Sequence, residues 1–337
     1  MHVSFDLTVV FAFIISFAVF AYVVMDGFDL GVALLFPFFP ERRDRDVMMN
    51  SVAPIWDGNE TWLILGGGSL FAAFPLAYAI LMPAIYTPAI AMLLGLVFRG
   101  VAFEFRWRTE RGRFLWDFSF FAGSLIAAFA QGVALGTILQ GVKVTGRTYG
   151  GGWWDWVTPF TMLTGVAVVA GYSLLGATWL LMKTSGELQE RAYRFSRLST
   201  FATLFFIVAV SLATPFLEAE YWRRWFEWPG ILVTAPVPIA VAAAAFFLLR
   251  ALMNRRHEVQ PFILSLVLFL LCFVGLGVSI WPYVVPGRVT IWDAASPEKS
   301  QVFMLVGISI LIPIILIYTA YAYWIFRGKV DPEAGYH

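Results

Sequence analysis

Long apolar runs recur along this chain, separated by short polar stretches rich in arginine. A helix that crosses a bilayer needs roughly 20 predominantly apolar residues. On that template nine segments stand out, near residues 7–38, 48–72, 78–103, 115–141, 157–182, 198–217, 230–252, 260–284 and 301–326. The second begins less apolar than the others, and the sixth, which ends before Glu218, is the shortest. The expected fold is all-α: a polytopic membrane protein with nine transmembrane helices, arranged as two four-helix bundles plus one peripheral helix. On that plan residues 1–150 form the first bundle, 151–290 the second, and 291–337 the ninth helix and its tail.

The polar stretches carry an orientation signal. Arg42, Arg43 and Arg45 follow the first run, Arg106, Arg108, Arg111 and Arg113 the third, and Lys183, Arg191, Arg194 and Arg197 the fifth. Arg250, Arg255 and Arg256 follow the seventh, and Arg327 and Lys329 the ninth, so sixteen of the 23 basic residues fall on one side. The opposite loops hold Lys143, Arg147, Arg223, Arg224, Arg288 and Lys299. Basic loops stay in the cytoplasm, which places the N-terminus outside (periplasmic) and the C-terminus inside. No Lys or Arg precedes Arg42, so the first run reads as a retained helix and not a cleaved signal peptide.

Composition agrees with this picture. Of 337 residues, 60% are hydrophobic and 13% charged, against about 45–50% and about 25% in soluble domains. The single cysteine, Cys272, excludes a disulfide framework within the chain and any cysteine-based metal cage. The histidines are His2, His257 and His337, none within an apolar run, so the chain offers no bis-histidine haem site in the bilayer. Trp and Tyr gather near run ends, among them Tyr321, Tyr323 and Trp324, as expected of interfacial anchors. Basic residues follow topology, so nucleic-acid binding has no support.

Against this apolar background three aspartates matter. Asp26 and Asp29 lie in the first run, spaced i, i+3 on one helix face. Gly27 and Gly31 beside them allow a second helix to come close. Asp57 lies about nine residues into the second segment, ~13 Å from its start at 1.5 Å per residue. Asn50, Pro54, Asp57 and Thr61 then form a polar stripe, with Glu60 beside it as part of the track. A carboxylate in a spanning helix costs about 2.5–3.5 kcal/mol and reads as functional by default; here the function is proton uptake, and the bland alternative is structural pairing. Arg99 and Glu104, at the end of the third segment, read either as cationic and anionic partners for the track or a neighbouring subunit, or as a snorkelling arginine with a Glu104–Arg108 pair.

Several blocks resemble one family. Asp26-Gly27-Phe28-Asp29-Leu30-Gly31, Asn50-Ser51-Val52-Ala53-Pro54-Ile55-Trp56-Asp57-Gly58-Asn59-Glu60-Thr61-Trp62-Leu63 and Phe98-Arg99-Gly100-Val101-Ala102-Phe103-Glu104 are similar to subunit II of the bacterial cytochrome bd quinol oxidases, of the shorter cyanide-insensitive type. Gly176-Ala177-Thr178-Trp179-Leu180, Lys183-Thr184-Ser185-Gly186-Glu187-Leu188 and Trp281-Pro282-Tyr283-Val284-Val285-Pro286 continue the match. The resemblance implies a bacterial inner-membrane ubiquinol oxidase of the aerobic respiratory chain. In it a homologous subunit I carries two b-type haems and one d-type haem, and this subunit carries none. It also implies a small single-span accessory subunit and, in some members, a structural ubiquinone in this subunit. In the family a carboxylate matching Asp57 is assigned to proton supply toward haem d, with the Asp26 position implicated. The order expected is cytoplasm, Asp57, Asp26, then the partner's oxygen site, with Asp29 at the entrance. The rival reading is a proton-coupled secondary transporter, which usually has paired broken helices in both halves; here the acids cluster in the first two segments only.

Overall fold

The structure, a computed structural model, describes residues 6–331. Its helices are α1 (Leu7–Leu35), α2 (Arg42–Asn50), α3 (Trp56–Ala73), α4 (Pro75–Ala84), α5 (Tyr86–Arg108), α6 (Arg113–Leu139), α7 (Pro159–Lys183) and α8 (Gly186–Ala213). There follow α9 (Ala219–Phe226), α10 (Gly230–Thr234), α11 (Pro236–Asn254), α12 (Gln260–Ile280), α13 (Ile291–Ala294) and α14 (Glu298–Ile325). Two short antiparallel ribbons, β1 (Val144–Thr145) with β2 (Thr148–Tyr149) and β3 (Tyr283–Val285) with β4 (Val289–Thr290), are exceptions to the all-α expectation. They sit in connections between helices, and Val285 and Val289 of the second ribbon are buried.

Local chemistry fixes the helix starts. Asp6 caps α1 by accepting from the Thr8 amide at 3.0 Å, and Thr158 and Thr161 form a capping box on α7 with Pro159 at its first position. Pro75 opens α4 in the same way. Gly112, at φ 89°, makes the left-handed turn between α5 and α6.

Among the described residues, eight helical stretches are long and apolar enough to cross a membrane. The chain is a multi-pass membrane protein. The segment expected as one helix over 48–72 is built in pieces: α2 ends at Asn50, residues 51–55 turn, and α3 begins at Trp56. A proline at 54 explains the break, because it supplies no N–H for a continuing ladder. The segment expected over 78–103 is divided too, at Ile85 between α4 and α5.

The centre is made by α1, which packs on α3, α6 and α7, while α5 lies on α6, α8 on α7 and α11 on α12. Glycines set these distances. A Cβ on Gly31 would lie 1.8 Å from the Tyr172 carbonyl oxygen, and one on Gly176 would lie 2.1 Å from the Gly31 carbonyl carbon. Gly95 and Gly123 face each other across α5 and α6 in the same manner, at 2.5 Å from the opposing carbonyl oxygen. In the run Gly66-Gly67-Gly68 of α3, Gly66 faces Val19 and Ala18 of α1, whereas a Cβ on Gly67 or Gly68 would meet nothing. By contrast, α14 is largely exposed in this chain, touching α1 and α3 only lightly.

Candidate functional site

Asp26, Asp29 and Arg99 are fully buried, and they meet where α1, α3 and α5 converge. Counting back from helix ends at Leu35 and Arg108, Asp26 and Arg99 each stand nine residues in, ~13 Å along the axis. They are at one depth, and Arg99 Nη1 donates to Asp26 Oδ1 at 2.5 Å. Arg99 Nη2 donates to Glu60 of α3, and its guanidinium lies 5.8 Å from the centre of the Trp56 ring. Trp56 in turn stacks on Phe103. Arg99 therefore does not snorkel. A fully enclosed guanidinium with two carboxylate partners is a charge-assisted bridge between three helices.

Two further polar chains lead up to this cluster. The Tyr323 hydroxyl donates to Asn59 Oδ1 at 2.9 Å, and Asn59 Nδ2 donates to Asp29 Oδ2 at 2.7 Å. On the other side, the Tyr172 hydroxyl donates to Gln131 Oε1 at 2.6 Å, and Gln131 Nε2 donates to the Tyr22 hydroxyl at 2.8 Å. Tyr22 stands one turn before Asp26 on the same face of α1. Asp26 Oδ2, Asp29 Oδ1 and Arg99 Nε are buried without a hydrogen-bond partner. The site thus holds one guanidinium and three carboxyl groups, with acceptor capacity to spare.

The remaining residues singled out from sequence lie elsewhere. Asp57 is not deep inside a helix: it stands in the first turn of α3, exposed on the surface of this chain. An acid there also suits the helix dipole. Thr61 is exposed one turn further on, and its hydroxyl donates to the Asp57 carbonyl at 3.4 Å. Asn50 lies half-buried at the end of α2, so the stripe Asn50, Pro54, Asp57, Thr61 does not share one helix. Glu104 is exposed on α5, and among the described residues no ion pair joins it to Arg108. Asn59, Tyr22, Gln131, Tyr172 and Tyr323 were not singled out. Gln131 did carry a signal, a lone amide inside an apolar run, and so did Tyr22 and Tyr172, which lie far from either interfacial belt.

A second charge cluster lies two helical turns away. Arg106 is seven residues beyond Arg99 on α5 and is also fully buried. It donates to Asp117 of α6 at 2.5 Å and to Asp46 of α2 at 2.7 Å. Arg45 bonds Asp117 at 2.9 Å and Arg113 bonds Asp46 at 2.7 Å, so each aspartate has two arginines. Nearby, burial and the neighbouring Glu41 carboxylate raise the Asp44 carboxyl above its usual range, against the opposing pull of Arg191. At the other end of the molecule Trp292 donates its indole N–H to Asp6 at 2.7 Å and lowers that carboxyl. Among the described residues no group of three or more His, Cys, Asp or Glu is placed to hold a metal ion.

These features define a multi-pass helical membrane protein with a buried, hydrogen-bonded acid–arginine site. The sequence model described as cytochrome bd terminal oxidase subunit II matches residues 7–326, and the chain belongs to that family. It is 32% identical to the cytochrome bd-I ubiquinol oxidase subunit 2 of Escherichia coli strain K12, over 93% of this chain and 92% of that one. It is 28% identical to the cytochrome bd ubiquinol oxidase subunit 2 of Bacillus subtilis strain 168, over 91% and 92%. A solved bd oxidase chain from Geobacillus thermodenitrificans shares the fold, with a TM-score of 0.74 at 16% identity, covering 95% of this chain and 99% of that one.

Proposed function

We propose that this chain is the haem-free subunit II of a cytochrome bd-type ubiquinol oxidase, which docks on a haem-bearing subunit I and supplies it with protons from the cytoplasm. The partner, carrying two b-type haems and one d-type haem, oxidises quinol and reduces dioxygen to water. A single-span accessory subunit and a bound ubiquinone belong to the same reading. In this arrangement α3 is the ninth crossing. The helices α1, α3, α5 and α6 form one four-helix unit, α7, α8, α11 and α12 the other, and α14 stands beside them. The arginine-rich loops face the cytoplasm.

The observation that carries this reading is the acid cluster beside the buried Arg99, with Asp26 and Asp29 enclosed and Glu60 half-buried. Three carboxyl groups against one guanidinium leave room for protons without a change in packing. The outward face of α3 supports docking. Asp57, Thr61, Ile64, Gly68 and Phe71 recur at spacings of four and three residues and are all exposed. A stripe that includes an aspartate, a threonine and a glycine suits a protein partner better than hydrocarbon. In the rival transporter reading the same acids bind a coupling ion, but no matching pair of broken helices with buried acids occurs in α7 and α8.

Asp57→Asn in the assembled complex tests the proposal. Quinol oxidase turnover is expected to fall by roughly tenfold or more while the haem absorbance stays unchanged. Turnover at the unmodified rate removes Asp57 from proton supply, and loss of haem assigns it to assembly.

A further inference from the structure

Asp57 has no direct hydrogen bond or ion pair to the buried carboxyls; Glu60 stands between them. Spaced i, i+3 on α3, the two acids lie one above the other, about 5–6 Å between Cβ atoms. The Glu60 side chain is 26% exposed, whereas Asp26 and Arg99 are at 0%. One group therefore touches both the outer face of α3 and the guanidinium that binds Asp26.

Two polar runs lead away from the cluster on its far side. Beyond Asp29 the chain of donors runs back through Asn59 to Tyr323, whose ring packs against Phe28 and Trp179. Behind Asp26, the chain from Tyr22 through Gln131 stops at Tyr172, which stacks on Phe269. Each terminal tyrosine has a single hydroxyl proton and gives it to an amide oxygen, which fixes the amide N–H toward the aspartate side. Both runs point inward; the first borders a small cavity lined by Pro54, Gly58, Asn59, Tyr318 and Tyr323, and the second ends on aromatic packing.

We infer that Asp26 and Asp29, held beside Arg99, form a side store for protons off the main route, and that Glu60 is the transfer residue between Asp57, that store and the partner-facing surface. This rests on the proton-supply reading. The linear order expected from the sequence, Asp57 then Asp26 then the partner, becomes a branch. A proton on the Asp57 carboxyl passes to the Glu60 carboxylate. From Glu60 it either leaves along the face of α3 or is held behind it on Asp26 or Asp29, and no electron moves in any of these steps. Arg99 links the charge on Glu60 to that on Asp26, because it bonds both. The Asp26 Oδ2 and Asp29 Oδ1 atoms, buried and unpartnered, are the places where a held proton sits.

The test compares Asp57→Asn, Glu60→Gln, Glu60→Asp and Asp26→Asn in the purified complex with its haem-bearing partner, with haem absorbance as the assembly check. Steady-state quinol oxidation is measured alongside the protons taken up from an unbuffered, dye-containing medium when the reduced complex meets oxygen once. Asp57→Asn and Glu60→Gln are expected to slow turnover alike, by roughly tenfold or more. Glu60→Asp, which restores a carboxyl, recovers part of the rate. Asp26→Asn slows turnover clearly less than Glu60→Gln, and its effect is a smaller fast phase of proton uptake. Equal losses in Asp26→Asn and Glu60→Gln overturn the side store in favour of a through path. An unmodified rate in Glu60→Gln, with Asp57→Asn slow, removes Glu60 from the route. Both of those results leave proton supply by this chain standing, whereas an unmodified rate in Asp57→Asn removes that reading together with the branch.

Discussion

Arg99 and Arg106 lie two turns apart on one face of α5, both fully buried, yet their surroundings are opposite in kind. Around Arg106, three arginines share two aspartates, and every aspartate keeps a second arginine. Its buried unmatched atoms, Arg106 Nη2 and Arg113 Nε, are donors. Around Arg99, one arginine pairs with two carboxylates, Asp26 and Glu60, while the neighbouring Asp29 is held by the Asn59 amide, and two unmatched atoms are carboxylate oxygens. The same residue on the same helix therefore staples helix ends together in one place and leaves a store of acceptors in the other. Redundancy marks the structural cluster. A single cation marks the chemical one.

Breaking that comparison begins with the two arginines. Arg99→Met strands Asp26 in the interior without a cation and is expected to destabilise the complex by about 3–5 kcal/mol, read as earlier thermal loss of the haem-bearing assembly. Arg106→Met leaves Asp46 with Arg113 and Asp117 with Arg45, so about 1–3 kcal/mol is expected. A larger loss from Arg106→Met than from Arg99→Met would invert the assignment. A double-mutant cycle sharpens it further. Combining Arg99→Met with Asp26→Asn is expected to recover about 1–2 kcal/mol relative to the sum of the single changes, since the stranded charge is removed. Additive losses would deny direct coupling. The smallest effect is expected at Arg255, whose pair with Glu190 is solvent-exposed; Arg255→Ala changes stability by no more than about 1 kcal/mol.

Most of the helices were legible as apolar runs, because in a bilayer length and hydropathy select the element directly. Residues 78–103 divide at Ile85, and residues 48–72 break at 51–55, which moved Asp57 from an expected interior position to an exposed first turn. The site was legible in part. Asp26 and Asp29 stood out as acids in a spanning run, but Arg99 near a run end read equally as a snorkelling side chain, because burial depends on which helix covers it. Tyr323 counted among the interfacial anchors, whereas its hydroxyl turns inward to Asn59 across more than 260 positions of sequence. A bond between α3 and α14 is a tertiary fact. No local pattern records it.

The contact between Gly31 and Gly176 has a mechanical consequence. Main chain rests on main chain there, so at that contact no layer of side chains lies between α1 and α7 to slide or repack. The Gly132 and Gly136 contacts with Thr164 pin α6 to α7 as well. Rocking of one half of the molecule against the other, the motion on which alternating access depends, would separate these backbones or force them together. Charge can move through such a body only by side-chain rotation and proton hops. Gly31→Ala would therefore act as a wedge, spreading α1 from α7 and shifting the Asp26–Arg99 contact without altering any titratable group.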